Sequence, residues 1–147
     1  MACTMCASAA VGLSGCGCDD NTSNSSKPGY KVEPTEPDLT NGDFGFFIIN
    51  KEELMITKYT GSDTVIEIPE SYKNYKVTVI GASVFNDSKI TEVTIPSSIK
   101  QIEDYAFSSC HSLKKVNLSE GLEILNNSVF FNCSELREIK LPSTLKE

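Results

Sequence analysis

Basic residues are the scarce class in this chain: 13 Lys and Arg stand against 20 Asp and Glu, giving a net charge of -7 and a pI near 4.7. A nucleic-acid partner needs clustered Lys and Arg to displace counterions from phosphate, so that class of function is excluded. There is no apolar run of the roughly 18 residues that a membrane-spanning helix needs, so no helix of the mature chain should cross a bilayer. Histidine occurs once, at His111 beside Cys110, and no carboxylate or amide is specified to orient it as a general base. The cysteines lack metal spacing: Cys3 and Cys6 sit in an apolar leader, and Cys16-Gly17-Cys18 has no second half. The chain carries no constellation for catalysis and implies no metal or cofactor. A non-enzymatic role is expected.

What the chain has in quantity is repetition. Ile99, Ile102, Ala106, Phe107, Cys110 and Leu113 recur as Leu122, Leu125, Val129, Phe130, Cys133 and Leu136, each at an offset of 23 residues. Val116 and Leu118 continue the match onto Ile139 and Leu141. An upstream copy through Ile80, Val84, Phe85, Ile90, Val93 and Ile95 fits once one residue is dropped between Phe85 and Ile90. A repeat of this length that keeps its apolar columns predicts a solenoid, each copy one coil stacked on the last.

Within a coil, Leu113, Val116 and Leu118 are expected to point inward from a short strand, leaving Lys115 and Asn117 outside. Leu122 and Leu125 fall on a second extended segment, and Val129 with Phe130 on a short turn of helix. Proline ends the strands at Ile68-Pro69, Ile95-Pro96 and Leu141-Pro142, where it stops pairing and turns the chain. Upstream, residues 44–50 and 54–59 are two β-rich runs around the polar break Lys51-Glu52-Glu53, which reads as a hairpin. Residues 43–69 are therefore assigned to an amino-terminal β cap and 70–147 to about three coils, left uncapped at the carboxy terminus. Cys110 and Cys133 become adjacent rungs of a column, where a disulfide competes with simple packing of two small buried thiols, and packing is the favoured reading.

The outward positions form two stripes: Glu92, Lys115 and Glu138 in one, Thr94, Asn117 and Lys140 in the other. They are the candidate binding face, although alternating charge down a parallel ladder also has a purely structural use. Tyr105 and Phe131 are conspicuous on the loop side, and Phe131, standing where the previous copy has Ser108, is expected to be exposed.

The Leu-x-x-Val-x-Leu spacing, the Ala-Phe-x-x-Cys block at 106–110, the Val-Phe-Phe-x-Cys block at 129–133 and the Ile-Pro and Leu-Pro strand ends resemble the BspA-type leucine-rich repeats of bacterial surface proteins. The resemblance covers about residues 44–145. It implies a leucine-rich-repeat solenoid, mostly β with short helical turns in a parallel strand ladder, capped at its start by a β-hairpin. It further implies a protein ligand, either a host matrix protein or another cell-surface protein, and hence adhesion. The alternative is a structural or assembly module, or a piece of a larger adhesin, docking through the uncapped carboxy-terminal edge.

The start of the chain adds a location. Residues 1–15 are small and apolar, and Leu13-Ser14-Gly15-Cys16 resembles the lipobox of bacterial lipoproteins. That resemblance implies cleavage before Cys16 and attachment of a membrane lipid to its thiol. Met1-Ala2-Cys3 brings no basic residue to open a signal peptide, so a Cys-rich tail stays open as the other reading. Residues 16–42 hold almost nothing that could be buried and are expected to be a disordered tether, with a reach of about 30 Å. Together these parts predict an extracytoplasmic protein held at the bacterial cell surface.

Overall fold

The computed structural model describes residues 39–146. The expected leader, Cys16 and most of the expected tether lie outside them. Strands β1 (Leu39–Asn41), β2 (Phe44–Ile48) and β3 (Glu53–Tyr59) form an antiparallel meander, with Phe46 opposite Ile56 and Ile48 opposite Leu54. The hairpin read from residues 44–59 is β2 and β3. From β3 onward pairing turns parallel, as a solenoid requires: β3 pairs β6 (Tyr75–Ile80), β6 pairs β8 (Gln101–Ile102), and β8 pairs β10 (Ile124–Leu125). A second sheet stacks β4 (Val65–Glu67), β7 (Glu92–Ile95) and β9 (Lys115–Leu118), also parallel. Strands β3 and β4 are thus already rungs, so the first coil begins within the stretch that the sequence assigns to the cap.

The apolar columns become the core. Ile66, Val93 and Val116 line the inner face of the second sheet, while Ile56, Ile80 and Ile102 line that of the first. Between them the rings of Phe85 and Phe107 stack with centroids 4.7 Å apart and planes at 2°, and Phe130 follows at 5.7 Å. Tyr59 and Phe44 close this row at the cap, each ring centroid 5.1 Å from the next. The register explains the shorter upstream copy. Val79 pairs Gln101 at 22 residues, whereas Glu92 pairs Lys115 at 23, so the missing residue falls in the turn between them.

Two features depart from the sequence reading. The segment expected as a short turn of helix is a pair of tight turns, and no helix occurs among the described residues. Ser128 and Asn132 take left-handed backbone with φ of 55° and 60°, and so do Tyr105 and Ser109 (58°, 57°) and Ser83 and Asp87 (57°, 57°) in the earlier coils. A left-handed residue every fourth position interrupts any right-handed helix. It lets the turns bond to each other instead: Phe85 N–H donates to Ala106 C=O at 2.8 Å and Phe107 N–H to Val129 C=O at 3.0 Å.

The second departure is β5 (Ser71–Tyr72), which forms an antiparallel hairpin with the start of β6 around Lys73, whose φ is 54°. Five residues more separate Ile68 from Ile80 than separate Ile95 from Ile102, and the hairpin takes up that excess. It reinforces the cap, since the Tyr72 hydroxyl donates to Thr40 C=O at 2.8 Å and its ring stacks on Phe46 at 5.3 Å.

Candidate protein-binding face

Outward side chains on the second sheet alternate with the buried valines and isoleucines, so Glu92 and Thr94 of β7 and Lys115 and Asn117 of β9 share one surface. Their registers are direct: Glu92 lies opposite Lys115, and Thr94 opposite Asn117. Lys115 Nζ donates to Glu92 Oε1 at 2.7 Å. Asn117 Nδ2 donates to the same oxygen at 3.0 Å and to Thr94 Oγ1 at 3.3 Å. Hydrogen bonds from Lys115 and Asn117 hold the Glu92 carboxyl below its ordinary range. The four side chains are therefore one tied network, and the sheet presents them at fixed spacing.

Glu138 and Lys140 are placed differently. They are exposed, but residues 137–141 form no strand with β9 among the described residues. The segment is fixed through its ends. Ser134 Oγ donates to His111 C=O at 3.3 Å, Ser143 N–H donates to Glu120 Oε2 at 3.0 Å, and Thr144 Oγ1 donates to Leu122 C=O at 2.7 Å. The stripes expected to run over three coils are thus bonded over two, and their last members lie beside them without a bond to Lys115 or Asn117 among the described residues.

Two residues of this surface were missed. Val65, 62% exposed, stands opposite Glu92, and Glu67 stands opposite Thr94, so the stripes begin one coil earlier on β4. The signal was present in Val65-Ile66-Glu67-Ile68-Pro69, which repeats the pattern of Glu92-Val93-Thr94-Ile95-Pro96.

Tyr105 and Phe131, 47% and 60% exposed, lie on the turns. Cys110 is fully buried and Cys133 partly so, both as free thiols. The Cys110 thiol is turned toward Phe85 C=O at 3.0 Å, with Ser88 Oγ at 3.2 Å, and no hydrogen bond joins it to the His111 side chain among the described residues. No group of three or more metal-ligating side chains occurs among the described residues either.

Parallel strands repeating about every 23 residues around a single apolar core define a leucine-rich-repeat solenoid. Residues 57–147 match the family described as BspA type Leucine rich repeat region (6 copies). The chain belongs to this family. Among solved structures it is similar to a leucine-rich repeat protein from Bacteroides capillosus, with a TM-score of 0.71 and 34% identity over 74% of this chain and 85% of that one. It is also similar to a leucine rich cell surface protein from Faecalibacterium prausnitzii, with a TM-score of 0.66 and 32% identity over 74% of this chain and 31% of that one. A T. pallidum leucine rich repeat protein shares the fold with a TM-score of 0.70 at 24% identity, over 74% of this chain and 51% of that one. The chain thus spans about half of the T. pallidum protein and about a third of the F. prausnitzii one. No curated protein matches it.

Proposed function

We propose that this protein is a non-enzymatic adhesin of the bacterial cell surface, held to the membrane by a lipid on Cys16, which binds a protein of the host matrix or of another cell. Its binding face is the outer surface of the second sheet: Glu92, Thr94, Lys115 and Asn117, with Glu138 and Lys140 alongside. The observation that carries this reading is the network in which Lys115, Asn117 and Thr94 converge on Glu92 and each other. Side chains already fixed in the free protein lose little further freedom when a partner docks, which is how a mixed-charge face gains affinity. Membership of a family that includes surface proteins supports the location, and the polar segment after Cys16 supports a tethered domain.

Adhesion of cells displaying the full chain to matrix-coated wells tests the reading. Reversing two charges, with Lys115→Glu and Glu138→Lys together, should reduce adhesion about tenfold while leaving the amount displayed unchanged. Equal adhesion of the variant removes the face from consideration. Separately, mass spectrometry of the membrane fraction should find a lipid-modified Cys16 as the first residue, and an unmodified Met1 on the mature protein refutes the anchor.

A further inference from the structure

The meander β1–β2 extends the first sheet beyond the solenoid, but nothing among the described residues does the same for the second. Strand β4 is its outermost member, and the phase of its hydrogen bonds decides which groups are left over. Glu92 N–H donates to Thr64 C=O at 3.2 Å, and Ile68 N–H donates to Thr94 C=O at 3.0 Å. In a parallel ladder alternate residues of a strand bond to the same neighbour, so Thr64, Ile66 and Ile68 serve β7. Val65 and Glu67 turn their N–H and C=O groups the other way, toward an edge where no described residue meets them. Their side chains are both exposed, Val65 by 62%. The apolar floor beneath is already closed, because Ile66 and Ile68 are buried.

We propose that the β4 edge is a second binding site, which takes an extended basic peptide segment of a partner protein as an added strand of the second sheet. Backbone groups of Val65 and Glu67 supply the hydrogen bonds, and their side chains supply the selection. Side chains opposite each other on neighbouring strands interact directly, and this sheet already pairs opposite charges in that way, with Lys115 across from Glu92. The added strand therefore carries an apolar residue opposite Val65 and a Lys or Arg opposite Glu67, two positions apart. Charge also decides between occupants. Glu67 on β4 and Asp63 and Glu70 flanking it are all exposed, so joining two β4 edges would bring like charges together. In a chain of net charge -7 that disfavours a second copy and favours a basic partner. The site takes its hydrogen bonds from main-chain groups at one end of the sheet, and its two selecting side chains are the first members of the stripes that continue on β7 and β9.

The test is fluorescence anisotropy of the full chain with the labelled peptide TKTVTKT, which offers Val and Lys two apart in either strand direction. Saturable binding is expected, weaker by about three- to tenfold for the acidic counterpart TETVTET. Val65→Pro removes an N–H that bonds to no described residue and places a ring on the edge. It should weaken binding at least about tenfold while the circular dichroism spectrum stays unchanged. Glu67→Lys, which leaves the backbone intact, should invert the preference between the two peptides. Equal binding by wild type and Val65→Pro, an unchanged preference in Glu67→Lys, or no saturable binding at millimolar peptide overturns the proposal.

Discussion

The thiol of Cys133 donates to the carbonyl of Phe107 at 3.1 Å, one rung along from the 3.0 Å bond that Cys110 makes to Phe85. The repeated cysteine thus bonds back across a coil boundary, each thiol holding its own turn to the one before. Burial pushes both thiols above the ordinary cysteine range, and at Cys133 the neighbouring Cys110 adds to the effect. A raised thiol holds less thiolate at a given pH, and thiolate is the species that reacts. Alkylation of the native chain by iodoacetamide at pH 8, followed by peptide mass spectrometry, should therefore label Cys133 slowly. Cys110 should react more than about a hundredfold more slowly than in the urea-unfolded chain. Labelling of Cys110 at the unfolded rate would show that the bond to Phe85 does not hold it.

The Glu92–Lys115 pair gives a pH dependence with a definite sign. Hydrogen bonds from Lys115 and then Asn117 depress the folded carboxyl below the ordinary carboxylate range. A group depressed on folding contributes stability above its unfolded value, and that contribution disappears as pH falls through the folded value. Urea midpoints of wild type and Glu92→Gln should differ at pH 7 and converge as the pH falls below the ordinary carboxylate range. The difference at pH 7 should also shrink in 1 M salt, since the pair is at the surface. A gap that persists at pH 2.5 would assign the effect to packing.

Phe107 and Phe131 test the division between core and turn surface. Phe107 is fully buried between Phe85 and Phe130, whereas Phe131 is 60% exposed. Phe107→Ala should lower unfolding free energy by about 3–5 kcal/mol, enough to unfold a small domain in part. Phe131→Ala should change it by no more than about 0.5 kcal/mol. Denaturant midpoints of the two variants check both values, and a large loss from Phe131→Ala would mean that its ring packs on the fold.

These cases show why the sequence reveals some levels of this fold and hides others. Columns such as Phe85, Phe107 and Phe130 must be apolar in every coil, so core and period stand out by comparing the chain with itself. Exposed stripes follow, because alternation on a strand places Glu92 and Lys115 once Val93 and Val116 are inside. The hairpin at Ser71–Tyr72 is invisible to that comparison, being an insertion that no other coil repeats. The turn ladder is hidden for a different reason: its bonds are backbone to backbone, and left-handed geometry leaves only a preference for Ser, Asp and Asn. Tyr105 breaks even that preference at φ 58°. The apolar pattern at Ile139 and Leu141 promises a further strand, yet the N–H and hydroxyl of Ser143 and the hydroxyl of Thr144 anchor the segment beyond it, while 137–141 pairs with no strand among the described residues.

The tightest backbone demand falls at Gly121, between β9 and β10. Its φ of 118° is outside the range that L side chains readily adopt, and a Cβ there would come within 2.6 Å of Ser97 C=O in the preceding coil. Around it Thr144 Oγ1 accepts the Gly121 N–H at 3.0 Å, and Lys100 Nζ donates to its C=O at 3.4 Å, so three coils meet at this residue. Gly121→Ala combines strain with a contact to main chain, which cannot yield as a flexible side-chain end would. A loss of about 2–4 kcal/mol is expected, above the usual range for one strained residue. Gly42 also has positive φ, at 57°, but a Cβ there meets nothing within 4 Å. Its alanine variant should cost about 1–2 kcal/mol, the strain alone. Thermal or urea unfolding of the two variants side by side checks both values, and equal losses would show that neither the φ of 118° nor the Ser97 contact adds to ordinary left-handed strain.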